Sequence, residues 1–199
     1  QMCIRDRCMS DLDCSGPTPS CDPSTHECVC RLPRAGNLLQ NPGFDGSLQG
    51  WTAVTAMLAE DSEACPGSNS VYVPNAENDP VQCVPMAEGM TYELGSKLRG
   101  GVPGGMIRVD FFTGENCTGN LSTTWDLHFP GTFPEWQSLA GSFVAPAGTM
   151  SALVAVFGWD QYLDQIYVVP TGSPPGPPTC MSDLDCSGPT PSCDPSTHE

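Results

Sequence analysis

The sequence predicts an all-β fold: an antiparallel β-sandwich, or jelly roll, flanked by small disulfide-rich modules. Three observations carry this expectation. Apolar and polar residues alternate with period two through most of the middle of the chain, as half-buried strands require. Glycine and proline each occur 21 times among 199 residues, enough to separate many short elements by turns. No stretch shows the 3.6-residue periodicity of an amphipathic helix.

The strands are expected in the following order. WTAVTAML (51–58), SVYV (70–73) and VQCV (81–84) come first. TYELGSKLRG (91–100) sets Tyr92, Leu94 and Leu98 on one face, with Glu93, Lys97 and Arg99 on the other. MIRVDFF (106–112) opposes Ile107, Val109 and Phe111 to Arg108 and Asp110. WQSLAGSFVA (136–145), SALVAVF (151–157) and LDQIYVV (163–169) complete the set. Short strands with turn residues between them, in a segment of this size, make a two-sheet sandwich.

Around this segment the chain repeats itself. CMSDLDCSGPTPSCDPSTHE occupies residues 8–27 and recurs letter for letter at 180–199. In the first copy the cysteines Cys8, Cys14, Cys21 and Cys28 are followed by Cys30. The second copy breaks off one residue before its next cysteine, so a fragment of a longer tandem array is expected. The resulting organisation is a leader at 1–7, a Cys-rich repeat at 8–35 and a β-sandwich at 36–170. A proline-rich linker at 171–179 and the truncated second repeat at 180–199 follow. The leader contains MCIRDR, which resembles translated sequencing-adapter DNA, and is set aside.

Charge and cysteine content bound the function. Asp and Glu outnumber Lys and Arg by 23 to 7, a net charge of −16 that argues against nucleic acid or anionic lipid as a partner. No apolar run is long enough to span a membrane. Twelve cysteines without the C-x2-C pairs of zinc knuckles read as disulfides, and hence as a secreted or cell-surface location. The Cys-rich repeat holds too few large apolar side chains to form a core, so Cys8, Cys14, Cys21 and Cys28 must staple it, in one of three pairings. Cys83 and Cys117 are expected to pair within the sandwich. Cys65 could instead take either of them, or meet Cys30.

NLLQNPGFDGSLQGWTA (37–53), TYELGSKLR (91–99), WQSLAGSFVAPAG (136–148) and LDQIYV (163–168) carry a family likeness. In that order they resemble the landmarks of carbohydrate-binding modules of families 4 and 9, jelly rolls of the galactose-binding-like fold. The repeats resemble short Cys-rich units of secreted myxobacterial multidomain proteins. The likeness implies a non-catalytic, lectin-like module of a bacterial protein with a polysaccharide or glycan as partner. It also implies a structural calcium held by Asp45 and Asp164, since first and last strands are neighbours in that fold. Asp45 stands where the family more often has Glu, one methylene longer, and the alternative for Asp45 and Asp164 is that they cap turns.

Sugar binding asks for flat aromatic faces and polar groups for the hydroxyls. Trp51 and Trp136 match family positions that are usually structural and are assigned to the core. Trp125, Trp159 and Tyr162 are the candidate ligand contacts. Arg108 and Asp110 join them as hydrogen-bonding partners, together with Lys97 and Arg99, on strands taken as neighbours; a solvated sheet face is the alternative for these charges. Asn116 and Asn120 begin glycosylation sequons that matter only in a eukaryotic secretory pathway. No catalytic motif is present: His128 is the one histidine of the sandwich, and the acid pair Asp110 and Asp126 has no surroundings that would tune it for glycosidase chemistry. The rival reading is a structural or adhesive repeat that binds protein partners and has no sugar site. A protease-inhibitor-like role for the stapled modules has only cysteine density behind it.

Overall fold

A computed structural model describes residues 34–76, 79–101 and 103–172, with residues 9, 20, 21, 26 and 28–30 ahead of them. The expectations for the leader, for Cys8 and Cys14, for the linker beyond residue 172 and for the second repeat fall outside the described residues. Cys21 is buried and disulfide-bonded. It lies on β1 (Ser20–Cys21), which pairs antiparallel with β2 (Cys28–Val29), Cys21 standing opposite Cys28.

The sandwich is all-β. Its strands are β3 (Met57–Glu60), β4 (Asn69–Ala76), β5 (Val81–Pro85), β6 (Thr91–Gly100) and β7 (Met106–Phe112), then β8 (Leu121–His128), β9 (Phe133–Val144) and β10 (Ser151–Pro170). A single 3-10 turn, Glu115–Cys117, sits between β7 and β8. The first sheet has the order β3-β4-β10-β6-β9, and β5-β10-β7-β8 make the second, all pairs antiparallel.

β10 belongs to both sheets. Ser151–Phe157 pairs with β5 and β7, and Gly158–Pro170 pairs with β4 and β6. The two stretches SALVAVF and LDQIYVV are therefore one strand that changes sheet, not two separated by a turn. The change happens at Gly158, whose φ is +148°, and at Asp160, whose φ is +50°. Glycine suits this place, since L side chains rarely adopt such a φ and a Cβ would also stand 2.3 Å from Oε1 of the buried Gln161.

Alternation behaves as the sequence predicts. Val71 and Val73 on β4, Leu94 and Leu98 on β6, and Ile107 and Val109 on β7 are fully buried and form one continuous core. Each contributes about 1.5–3 kcal/mol relative to an exposed position. Two elements differ. Of WTAVTAML only the end is strand, since Thr52 makes an isolated bridge with Val81 and residues 53–56 are looped. Residues 121–128, not read as a strand, form β8 against β7; its burial is shallow, so its apolar signal is weak.

The segment before β3 is not a strand either. Asn37 fastens it to β10, its Nδ2 donating to the Ile166 carbonyl at 3.2 Å and its Oδ1 accepting from the Val168 amide at 2.9 Å. The anchors Phe44 and Trp51 are buried with ring centroids 5.4 Å apart, and Trp51 Nε1 donates to the Asn41 carbonyl.

Both described disulfides bind loops to this frame. Cys83 pairs with Cys117, as the sequence suggests, and Cys65 pairs with Cys30. The second bond ties the end of the Cys-rich repeat to the loop between β3 and β4.

Loop 52–56 hangs on one carboxylate. Asp79, 5% exposed, accepts the amides of Val54 (3.0 Å) and Ala56 (3.1 Å), the Thr55 hydroxyl (2.6 Å) and the Thr55 amide. Burial alone would push its pKa up, but these hydrogen bonds outweigh it and hold the carboxyl below the ordinary 3.8. Asp79→Ala should lower stability by about 2–4 kcal/mol, leaving amides without an acceptor, measurable by denaturant unfolding. A depressed folded-state pKa gives stability that is present above the unfolded value and lost as pH falls through the folded one. The gap between wild type and Asp79→Asn should therefore be constant at neutral pH and shrink below pH 3.8; a gap that widens on acidification would contradict the assignment.

Candidate functional site

On the first sheet the residues that alternate with the core point outward. Tyr72 alternates with Val71 and Val73, Arg99 with Leu98, and Tyr162 with Leu163. Register then aligns them, because Tyr162 stands opposite Tyr72 on β4 and opposite Arg99 on β6. Trp136 on β9 extends the row to a fourth strand. The Tyr72 and Tyr162 ring centroids are 4.7 Å apart, and Trp136 meets Tyr162 edge-on at 6.5 Å. The Arg99 guanidinium lies 4.4 Å from the Tyr162 centroid and 5.1 Å from that of Trp136. Tyr72 Oη donates to Asp160 Oδ1 at 3.1 Å, a bond that raises the phenol pKa and fixes the ring.

Next to this row, along the same strands, lies a depression of about 770 Å³. Lys97 and Ser138, each two residues from a member of the row, line it, with Ala140, Tyr167 and Arg34 beyond. Tyr167 lies over Gly95, where a Cβ would stand 2.3 Å from the phenol oxygen. Tyr167 Oη donates to Glu93 Oε1 at 2.6 Å, and the Arg34 guanidinium covers the ring at 3.6 Å while pairing with Glu93 at 2.8 Å. The Tyr167 hydroxyl and the Arg34 charge hold the Glu93 carboxyl below its ordinary pKa. Burial and the bond to Glu93 push the Tyr167 phenol up. Lys97 pairs with Glu63 of the loop that carries Cys65. One wall is thus built by Arg34 and Asn37, and the disulfide ties Cys30 to the loop whose Glu63 holds Lys97.

The sequence-derived candidates are divided by this geometry. Tyr162 is at the centre of the row. Trp159, 47% exposed, sits where β10 changes sheet, opposite Asn75, and no ring contact joins it to the row among the described residues. Trp125 points the other way: it packs on the core, 4.9 Å from the Phe143 ring, because it alternates with outward residues on β8 and stands opposite buried Val109. Trp136, assigned to the core from sequence, is instead on the outer face.

Arg108 and Asp110 are on β7, in the second sheet, so they are not neighbours of Lys97 and Arg99 and project from the opposite side of the sandwich. Arg108 Nε donates to Asp126 Oδ1 at 2.8 Å, a pairing that raises the arginine pKa. Burial, helped by Asp126, raises the Asp110 carboxyl against the pull of Arg108.

Asp45 and Asp164 both hold the loop between β3 and β4, at its two ends. Buried Asp164 accepts the Ser62 amide at 3.1 Å and the Gln165 amide at 2.7 Å, whereas exposed Asp45 accepts the Ser68 hydroxyl. No cluster of three or more acidic, His or Cys side chains is arranged to hold a metal among the described residues.

Tyr72 and Trp136 escaped the sequence reading. Tyr72 had a signal, since it is flanked by two valines that alternation buries. The row itself rests on cross-strand register, which no local pattern shows.

No protein-family model matches the chain. It is 29% identical over 154 residues to exochitinase 1 of Streptomyces olivaceoviridis, covering 72% of this chain and 24% of that protein's length. The fold is similar to solved carbohydrate-binding modules. Family 16 Carbohydrate Binding Module-2 superposes with a TM-score of 0.50 at 18% identity, over 67% of this chain and 99% of that one. The CBM22-1-CBM22-2 tandem domain of Paenibacillus barcinonensis Xyn10C gives 0.50 at 20% identity, over 71% and 48%. The enzymatically active domain of bacteriophage CBA120 tailspike protein 4 gives 0.53 at 15%, over 68% and 21%.

Trp125→Ala should cost about 2–4 kcal/mol of stability by emptying the edge of the core, while Trp159→Ala should stay within about 0.5 kcal/mol. Thermal unfolding of the two variants checks both, and similar losses would contradict the burial difference.

Proposed function

We propose that the chain is a non-catalytic carbohydrate-binding module of a secreted or surface multidomain bacterial protein, and that a polysaccharide strand lies across the outer face of the first sheet. The observation that carries this reading is the row of Tyr72, Tyr162, Arg99 and Trp136 beside a depression lined by Lys97, Ser138 and Tyr167. Flat rings supply apolar faces for pyranose C–H surfaces, and the neighbouring hydroxyl, ammonium and guanidinium groups supply hydrogen bonds that orient the sugar. Partly exposed rings held by register cost little to order on binding. The similarity to solved carbohydrate-binding modules supports the reading at the level of fold, and disulfides agree with an oxidising location.

A structural calcium belongs to the same reading. Asp45 and Asp164 would each supply one carboxylate, and backbone carbonyls such as that of Gly43, already bonded to Ser68, would be needed for the remaining oxygen ligands of a six- to eight-coordinate ion. Its contribution would be to stiffen the loop between β3 and β4 beside the depression.

The test is retention of the full chain on a panel of soluble and insoluble polysaccharides. Tyr162→Ala and Trp136→Ala should each weaken binding about tenfold or more, equivalent to about 1.4 kcal/mol, with the fold intact by circular dichroism. Calcium should raise the melting temperature of chelator-treated protein. If a folded, oxidised chain is retained by no polysaccharide, the structural-repeat reading takes its place.

A further inference from the structure

Four Lys and Arg side chains fall among the described residues, and three of them are paired with carboxylates. Arg34 pairs with Glu93 at 2.8 Å, Lys97 with Glu63 at 2.5 Å and Arg108 with Asp126 at 2.8 Å. Arg99 makes no ion pair among the described residues; the contacts that define its position are the rings of Tyr162 and Trp136. In a chain where acids outnumber bases by 23 to 7, a cation left to two aromatic rings at the centre of a binding face calls for an explanation.

We propose that the face selects a polysaccharide bearing carboxylates, a uronate-containing chain, and that Arg99 receives the carboxylate. The inference rests on the carbohydrate reading above and adds the class of ligand. Rings beside a guanidinium satisfy its π faces and none of its five N–H donors, so the planar edge remains free for a carboxylate in a bidentate pair. The rings also remove water from the cation, which strengthens the pair relative to one formed in bulk solvent. A neutral sugar hydroxyl accepts from such a donor as well, but leaves the charge uncompensated.

The net charge of −16 does not oppose this locally. At physiological ionic strength the screening length is about 8 Å, so distant carboxylates contribute little. Near the row, Glu93 and Glu63 are neutralised by Arg34 and Lys97, and Asp160 accepts the Tyr72 hydroxyl.

The test compares binding of the full chain to oligogalacturonate, to its methyl ester and to a sulfated galactan by calorimetry. Wild type should bind the uronate about tenfold more tightly than the ester. Arg99→Gln should bring the two affinities together, Arg99→Lys should keep part of the preference, and Trp136→Ala should weaken both. Equal binding of uronate and ester by wild type overturns the inference, as does a preference that survives in Arg99→Gln. Should Arg99→Gln fail to fold, the wild-type comparison decides alone. A sulfated galactan bound as tightly as the uronate overturns the carboxylate assignment. Neutral polysaccharides bound with Arg99→Gln unaffected remove the inference and leave the carbohydrate reading standing; no glycan bound removes both.

Discussion

The structure depends on one strand that serves two sheets. β10 pairs with β4, β5, β6 and β7, so either sheet loses its central member if this strand cannot turn from one to the other. The turn is made within Gly158–Gln161, where Gly158 and Asp160 take positive φ while the register with β4 runs on unbroken. Gln161 fills the inside of the turn, fully buried, with its Nε2 donating to the Phe157 carbonyl at 3.2 Å. Two further glycines lie around it: a Cβ on Gly105 would meet the Phe129 ring at 2.6 Å and Gln161 Oε1 at 3.0 Å, and Gly101 takes a φ of +79°. A buried amide here costs desolvation, yet it fixes where the strand leaves one sheet and enters the other.

That point also sets the outer face of the first sheet. Asp160 and Tyr162 are the first outward residues after the crossing, and both contact Tyr72 on the next strand. A slip of one residue at Gly158 would exchange Tyr162 with Leu163, burying the phenol and exposing the leucine. Core packing therefore enforces the aromatic row: Leu163 in its hydrophobic socket holds Tyr162 on the opposite side. The same logic sorts the tryptophans. Trp125 and Trp136 lie on different sheets, and the parity of each against its buried neighbours, Val109 for one and the β9 core residues Leu139 and Phe143 for the other, decides which faces inward.

How much of this was legible follows from the range of the interactions. The all-β class and the inward sets on β6 and β7 depend on alternation, which is a local property. The Cys83–Cys117 pair was also suggested by position, each cysteine being in or beside a sandwich strand. β8 was lost because strands covered on one side by few apolar residues leave a faint pattern. Fusion of the last two strands was lost because Gly-Trp-Asp-Gln reads as a turn, while buried Gln161 and the glycines around it make it a crossing. The placement of Arg108 and Asp110 beside Lys97 and Arg99 failed because consecutive strands β6 and β7 lie in opposing sheets, a topological fact with no sequence period.

The site is built on strands, with its row spread over β4, β10, β6 and β9, so the rings are held by main-chain ladders on both sides. A ligand bound by such a row, as proposed, would find the rings already ordered, with little conformational entropy left to lose. One wall of the depression comes from Arg34 and Asn37, which lie outside any strand: the Arg34–Tyr167–Glu93 contacts and the Asn37 bonds to β10 hold them, and the Cys30–Cys65 disulfide lies ahead of them in the chain. The covalent bond thus has a geometric role beyond stabilising a small repeat. It ties Cys30 to the loop of Cys65, whose Glu63 pairs with Lys97 at the edge of the depression.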